Sequence, residues 1–467
     1  MKKKNNHQFN LVIHAEYVFL LVALLFGVLF ALLNPPAQSN DEDRHFYNAY
    51  AKSEGKFLPE KKGDNIGYYL PKSILRTISS YQGINFFSGA KIKKESIDNF
   101  AKIELNEKDR EFYNHPNYSI NPIPYLPYAI GINIGNVFND NPMSALWSAR
   151  ISGLIFYIII IFLSIRIIPI FKNVLMLLSL SPMALYQASS VTYDMMAISL
   201  SYLLVALVIY FATVDQKISI YNVIIFLIIA IFHRFAKDGY FLIPFIILII
   251  SPSKFDKSYY FWLILFSLII FYFLPSWTWN NLLNSSGLVG GAPLQNDFLF
   301  NTGKNISFHL EHPFSLVKHL FFNILSQGSE WLYGSLGRFG YAYAIPSKLV
   351  LTLHAIVLIT VSLFDSNNKI ELSKKLRYST FLFGITMMLI VIGGYLIMGS
   401  PVGSYQVFGF QGRYLIPILP FVFFVLYNTQ YYNERFFKFG SLAVGLYSII
   451  ILSYISVFIN NYFYSAN

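Results

Sequence analysis

The chain predicts an all-α polytopic membrane protein of about eleven transmembrane helices. Two features predict it: only 13% of its 467 residues are charged while 55% are hydrophobic, and the apolar residues gather in uninterrupted runs. A soluble domain carries about a quarter charged residues, and about 20 consecutive apolar residues let an α-helix cross a bilayer. Barrel strands would instead read as alternating segments of ~10 residues, a pattern these runs lack.

The first run, 16–34, follows Lys2, Lys3 and Lys4 and leads into "NPPAQSN" without a small-x-small cleavage site. It reads as an uncleaved span. Further spans are expected near 144–165, 171–189, 195–213, 219–233, 239–250, 259–276, 346–364, 378–398, 413–428 and 437–459. "HRFAKDG" separates the 219–233 and 239–250 runs and cannot stay in hydrocarbon unpaired, so it reads as a tight turn between them.

The run 123–138 is apolar enough to cross but holds Pro124 and Pro127. Charge decides it, because basic residues collect on the cytoplasmic side. With 123–138 lying in the interface and the N-terminus inside, Lys2, Lys3, Lys4, Arg166, Lys172, Lys217, Lys254, Lys257, Lys369, Lys374, Lys375, Arg377, Arg435 and Lys438 all face the cytoplasm. The short outer turns then hold only Arg234, Lys237 and Arg413. If 123–138 crossed, the basic "KIELSKKLR" loop would face outward. The expected topology is therefore eleven spans, N-in and C-out, in one integral membrane domain covering 1–467. Two long segments, 35–143 and 277–345, face outside and are expected to carry function.

The same rule accounts for the net charge of +11, which in a soluble protein would suggest nucleic acid. No nucleic-acid partner is expected; the surroundings are membrane lipids. Cys is absent, so neither disulfides nor thiolate chemistry arises. No P-loop, Rossmann fingerprint or H-E-x-x-H motif occurs.

Chemistry-bearing residues concentrate on the expected outer face. "NDEDRHF" places Asp41, Glu42, Asp43, Arg44 and His45 about one turn past the first span. "HRFAKDGY" offers Arg234 and Lys237, "QGRYLIP" offers Gln411, Arg413 and Tyr414, and "SPMALYQASSVTYDMM" exposes Gln187 and Asp194 beside Pro182. Plain structural roles exist for each. Asn40 or Asp41 could cap the next helix, Asp194 could cap the span that begins at 195, and Lys237 and Arg413 could snorkel to headgroups. A carboxylate facing several cations at one membrane surface also suits a specific reaction. A general base takes the proton of an attacking hydroxyl while cations hold a phosphate leaving a sugar. Phosphate already leaves readily, so one base plus fixed positive charge is enough.

"NPP…DEDRHF", "SPMALYQASSVTYDMM", "AKDGYFLIP" and "QGRYLIPILP", in that order, resemble a widespread bacterial family of multispanning membrane proteins of unknown function. That family is in turn similar to the GT-C superfamily of membrane glycosyltransferases, which use polyprenyl-phosphate sugars. The resemblance runs from about residue 16 to 430. It implies a GT-C-like fold with interfacial helices in the large first outer loop, the stretch "HPNYSINPIPYLPY" (115–128) opening one of them. It implies that Asp41 or Glu42 is the catalytic carboxylate and that Lys237 contacts donor phosphate. Arg413 in the Gln-Gly-Arg-Tyr element would be a further phosphate or sugar contact, with Arg234, His45, Gln411, Asp194, Gln187 and Tyr414 around the substrate. Some GT-C enzymes hold a divalent metal on such acids and others do not; the "DED" run leaves a metal open, without a defined ligand set.

The expected activity is inverting transfer of a sugar from a polyprenyl-phosphate donor to a cell-surface glycan or lipid-linked acceptor, at the outer face of a bacterial cytoplasmic membrane. Two alternatives belong to other classes. A flippase for lipid-linked sugars would show internal repeats and ionisable groups at mid-bilayer; no convincing repeat is present. A polysaccharide polymerase or ligase would rely on external Arg and His groups.

Overall fold

The computed structural model of the protein describes residues 13–81, 91–100, 102–115, 120–288 and 300–465. Its first helix, α1 (Ala15–Leu33), ends where Pro35 and Pro36 deny the backbone further helical donors. One face of α1 is packed inward through Phe19, Ala23, Phe26 and Phe30, while Leu21 and Leu25 on the other face are 70% and 61% exposed. Apolar groups left bare on one side of a span-length helix are what contact with lipid chains requires.

The chain then leaves the bundle through α2 (Glu42–Ser53), β1 (Glu60–Lys62), β2 (Asn65–Pro71), α3 (Lys72–Ser79), α4 (Lys94–Phe100) and β3 (Arg110–Asn114). The strands form one antiparallel sheet in the order β1-β2-β3. The all-α expectation did not foresee this sheet. Its strands are short and partly exposed, so they carry little of the apolar patterning that marks the spans.

α5 (Leu126–Phe138) follows a short 3-10 turn and lies along α6 (Pro142–Ile167). Gly131 permits that approach, since a Cβ there would meet the Ser148 carbonyl oxygen at 2.4 Å. The first part of the 115–128 stretch, residues 116–119, lies outside the described residues. The expected span 171–189 is two helices, α7 (Lys172–Ser179) and α8 (Pro182–Ala188), because Pro182 cannot continue the first and starts the second.

α9 (Asp194–Thr213) is buried on nearly every side and forms the centre of the bundle. Around it stand α10 (Ile220–Ala236), α11 (Tyr259–Ser285), α12 (Thr302–Glu311), α13 (Pro313–Gly337), α14 (Lys348–Phe364), α15 (Lys374–Met398) and α16 (Glu434–Phe463). Residues Asp238–Ile249 and Gly412–Leu426 run largely as 3-10 turns, with Pro244, Pro417 and Pro420 interrupting regular hydrogen bonding. Among the described residues, α1, α6, α9, α15 and α16 are long and apolar enough to cross a membrane, and five shorter apolar segments accompany them. The fold is that of a mainly helical membrane protein.

Candidate functional site

Residues expected to act together separate into two buried polar groups. The first belongs to Glu42. Its Oε1 and Oε2 accept from Arg150 Nε and Nη2 at 2.8 and 2.6 Å, and Oε1 also accepts from the Val191 amide at 3.1 Å. Arg150 spends its remaining donors on the carbonyls of Ala31, Asn34 and Pro35 at 2.8, 2.6 and 3.1 Å. Both side chains are essentially unexposed. One carboxylate, one guanidinium and four backbone groups therefore satisfy each other at the exit of α1, tying α1, α2, α6 and the loop after α8 together. Glu42 has no free face in this arrangement. Arg150 escaped the sequence reading, although an Arg well inside a 26-residue apolar helix signals a buried partner.

Asp41, one residue earlier, is different. It stands at the N-cap position of α2 with φ 58°, in the left-handed region, and its side chain makes no capping bond. Its amide donates to the Tyr341 hydroxyl at 3.2 Å. Its carboxylate is 38% exposed and 3.4 Å from Arg44. Non-glycine residues in this conformation carry strain that recurs at functional sites.

The second group gathers around Asp194, the first residue of α9. Lys237 Nζ donates to Asp194 Oδ1 at 2.5 Å, and Arg413 Nη1 lies 3.5 Å from Asp194 Oδ2. Arg413 Nη1 also donates to Gln187 Oε1 at 3.1 Å, and Nη2 to the Tyr414 hydroxyl at 3.4 Å. The carboxylate thus serves these cations rather than capping its helix. Aromatic rings complete the nest: Lys237 Nζ sits 4.1 Å from the Tyr414 ring centre and 4.6 Å from that of Tyr193, geometry that favours a retained positive charge.

Backbone features bring these groups together. Lys237 closes α10 in an extended conformation, and the next turn is tied down where Tyr240 donates to the Tyr414 carbonyl at 2.8 Å. Arg413 follows Gly412, whose backbone presses on α13; a Cβ at 412 would fall 2.1 Å from the Trp331 carbonyl oxygen. His45 reaches the same group from α2. Its ring meets Tyr193 edge-on at 4.6 Å, and Nδ1 is 2.7 Å from the Tyr125 hydroxyl. Burial pushes the His45 imidazole down to about 3, outweighing the upward pull of Asp194, so it is neutral at physiological pH. Further along α2, burial brings the Lys52 ammonium down to about 7; its Nζ donates to the Tyr68 hydroxyl at 2.5 Å.

Two cations against one carboxylate leave one positive charge uncompensated in a largely buried place. Two donors within it, Arg413 Nε and Gln187 Nε2, are buried without a hydrogen-bond partner. Such orphans are costly and leave hydrogen-bonding capacity open beside the excess charge. Three cavities adjoin the group. A polar one of about 360 Å³ is lined by Asn121, Tyr193, Arg234, Lys237, Trp279 and Asn280, among others. A more apolar one of about 510 Å³ runs from Lys237, Tyr240 and Tyr414 along Ile390, Val391 and Met398 of α15. Arg234, paired with the exposed Asp238 at 2.5 Å, stands on the rim of both. A third, of about 240 Å³, lies between Arg413 and α13 and includes Gln411.

No group of three or more His, Asp or Glu side chains is placed to hold a metal ion among the described residues. The acid run diverges, Asp41 toward Arg44 and Glu42 toward Arg150, so it does not fit a shared cation.

Residues 24–422 match the model of the family described as "Predicted membrane protein (DUF2142)". The chain belongs to this family of predicted membrane proteins. No curated protein matches it. Among solved structures it is similar to the apo oligosaccharyltransferase of Archaeoglobus fulgidus, at 11% identity and a TM-score of 0.34. That match covers 97% of this chain and 56% of the archaeal one, so the chain spans little more than half the length of that protein.

Proposed function

We propose that the protein is a membrane glycosyltransferase that moves a sugar from a polyprenyl-phosphate donor to a glycan or lipid-linked acceptor. The observation that carries this reading is the excess positive charge of Lys237 and Arg413 at the junction of a polar and an apolar cavity. A polyprenyl-phosphate sugar has the same three parts in the same order: an apolar tail, an anion and a polar ring. The tail fits the cavity along α15, the phosphate fits Lys237 with Arg413, and the sugar fits the polar cavity beside Trp279 and Asn280.

Asp41 is the base in this reading, because Glu42 is consumed by Arg150 while Asp41 is half-exposed. It accepts the proton of the acceptor hydroxyl, whose oxygen attacks the anomeric carbon from the face opposite the phosphate. The carbon–oxygen bond to phosphate breaks, and the phosphate leaves with the electron pair and is held by Lys237 and Arg413. Inversion follows from a single displacement. His45, neutral and one turn after Asp41, positions Tyr193 beneath Lys237. The eleven-span, N-in topology of a single domain puts this chemistry on the outer face of the bacterial cytoplasmic membrane.

The test is transfer from a panel of polyprenyl-phosphate sugars by the full chain in lipid nanodiscs. Asp41→Asn is expected to lower turnover about 10²- to 10⁴-fold, the range of a lost general base, without lowering the unfolding temperature. Wild-type turnover in Asp41→Asn removes the base assignment. Substrate crossing sealed vesicles without acceptor favours a flippase instead.

A further inference from the structure

We infer that the third cavity, between Arg413 and α13, is a saccharide subsite for the acceptor; this rests on the transfer reading above. Its walls carry Gln327, Glu330, Trp331, Arg338, Gln411 and Arg413. The amides both donate and accept, the carboxylate accepts and the guanidinia donate, which matches the mixed demands of sugar hydroxyls. Trp331, packed edge-on against Phe410 with ring centres 4.7 Å apart, adds an aromatic wall of the kind that takes the C–H face of a pyranose.

Size narrows the ligand further. At about 240 Å³ the cavity is less than half the volume of the apolar one, about 510 Å³, and suits one sugar ring rather than a lipid tail. Glu330 bridges Lys348 at 2.7 Å and Arg338 at 3.4 Å, so its carboxylate is held in place as an acceptor at the wall.

Its position fits an acceptor. Ala342 lines it, and the neighbouring Tyr341 receives the amide hydrogen of Asp41. Arg413 belongs both to this wall and to the Asp194 group, whereas Lys237 borders only the other two cavities. The wall is thus joined to Asp41 through the 341–342 segment and to the Asp194 group through Arg413.

Saturation-transfer NMR on the full chain in nanodiscs tests this, using methyl glycosides of glucose, galactose and N-acetylglucosamine as probes and polyprenyl phosphate as a separate titrant. At least one glycoside should bind the wild type. Glu330→Gln and Gln411→Ala should each weaken it about fivefold, the value of one lost hydrogen bond, while polyprenyl phosphate binding stays unchanged. Lys237→Met should do the reverse. If no glycoside binds, or if binding survives both wall variants and fails in Lys237→Met, the subsite is overturned. Failure of polyprenyl phosphate to bind the wild type strikes the transfer reading itself, and is seen separately from the glycoside result.

Discussion

Glu42 and Asp194 are both buried carboxylates bound by arginine, yet their surroundings differ in count. Around Glu42, one acid meets one base, and every remaining donor of Arg150 finds a backbone carbonyl. Around Asp194, one acid meets two bases, buried donors stay unpaired, and cavities open on the flanks. A closed count describes a joint; an open one leaves charge and donors over. A carboxylate meets a guanidinium in both places; what differs is the number of partners and the open space beside them.

Substitutions can break that contrast, and the largest effect is expected at the closed group. Arg150→Met leaves Glu42 buried without its partner and should cost about 3–5 kcal/mol, read as a lower unfolding temperature in detergent. Adding Glu42→Gln should recover part of the loss. If Arg150→Met unfolds like the wild type, the joint is not structural.

Lys237→Met should behave oppositely. Asp194 keeps Arg413, so the local charge balances and stability holds or rises. Sugar transfer should fall about 10²- to 10³-fold, as when one stabilising cation or donor is removed at a developing charge. An unfolding temperature that drops as far as in Arg150→Met would erase the distinction between the two groups.

Gly412→Ala sharpens it from the backbone. The new methyl would strike the Trp331 carbonyl, and overpacking of this kind costs about 1–3 kcal/mol. Arg413 should shift with the segment, so phosphate affinity falls along with stability, which separates this variant from Lys237→Met.

The effect at Lys52 is distinguished by its dependence on pH. Its folded pKa of about 7 lies below the ordinary value of 10.5, so between these values the unfolded chain binds more protons than the folded one. Stability from this site rises with pH across that window, and the burial penalty is fully present below about 7. Lys52→Met should raise the unfolding temperature at pH 6, with the gain shrinking toward pH 10. A gain independent of pH would place the effect elsewhere.

Much of the helical layout was legible because span-length apolar runs need no tertiary partner to be recognised. Asp194, Lys237, Arg413 and Gln187 were also legible as polar residues flanking spans, and the structure brings the four together. The Glu42–Arg150 pairing was not: its partners are 108 residues apart, and nothing local says which acid an intramembrane Arg will choose. In the wall of the third cavity Gln411 and Arg413 were legible, while the part played by Glu330 and Trp331 was hidden for a related reason. Glu330 and Trp331 lie on α13, whose path against the 407–413 segment depends on the contact at Gly412. The small sheet was missed because its edges are polar and its strands brief.

Position 41 has a narrower repertoire than its neighbours. At φ 58° a side chain with bulk near the backbone costs about 1–2 kcal/mol, and Asp and Asn are the L-residues that tolerate the conformation best. Asn is therefore the replacement that changes the chemistry at the least cost to the geometry. Lengthening the carboxylate by one methylene therefore carries that backbone cost at the start of α2, so the reach of this acid is weighed against the chain's own handedness.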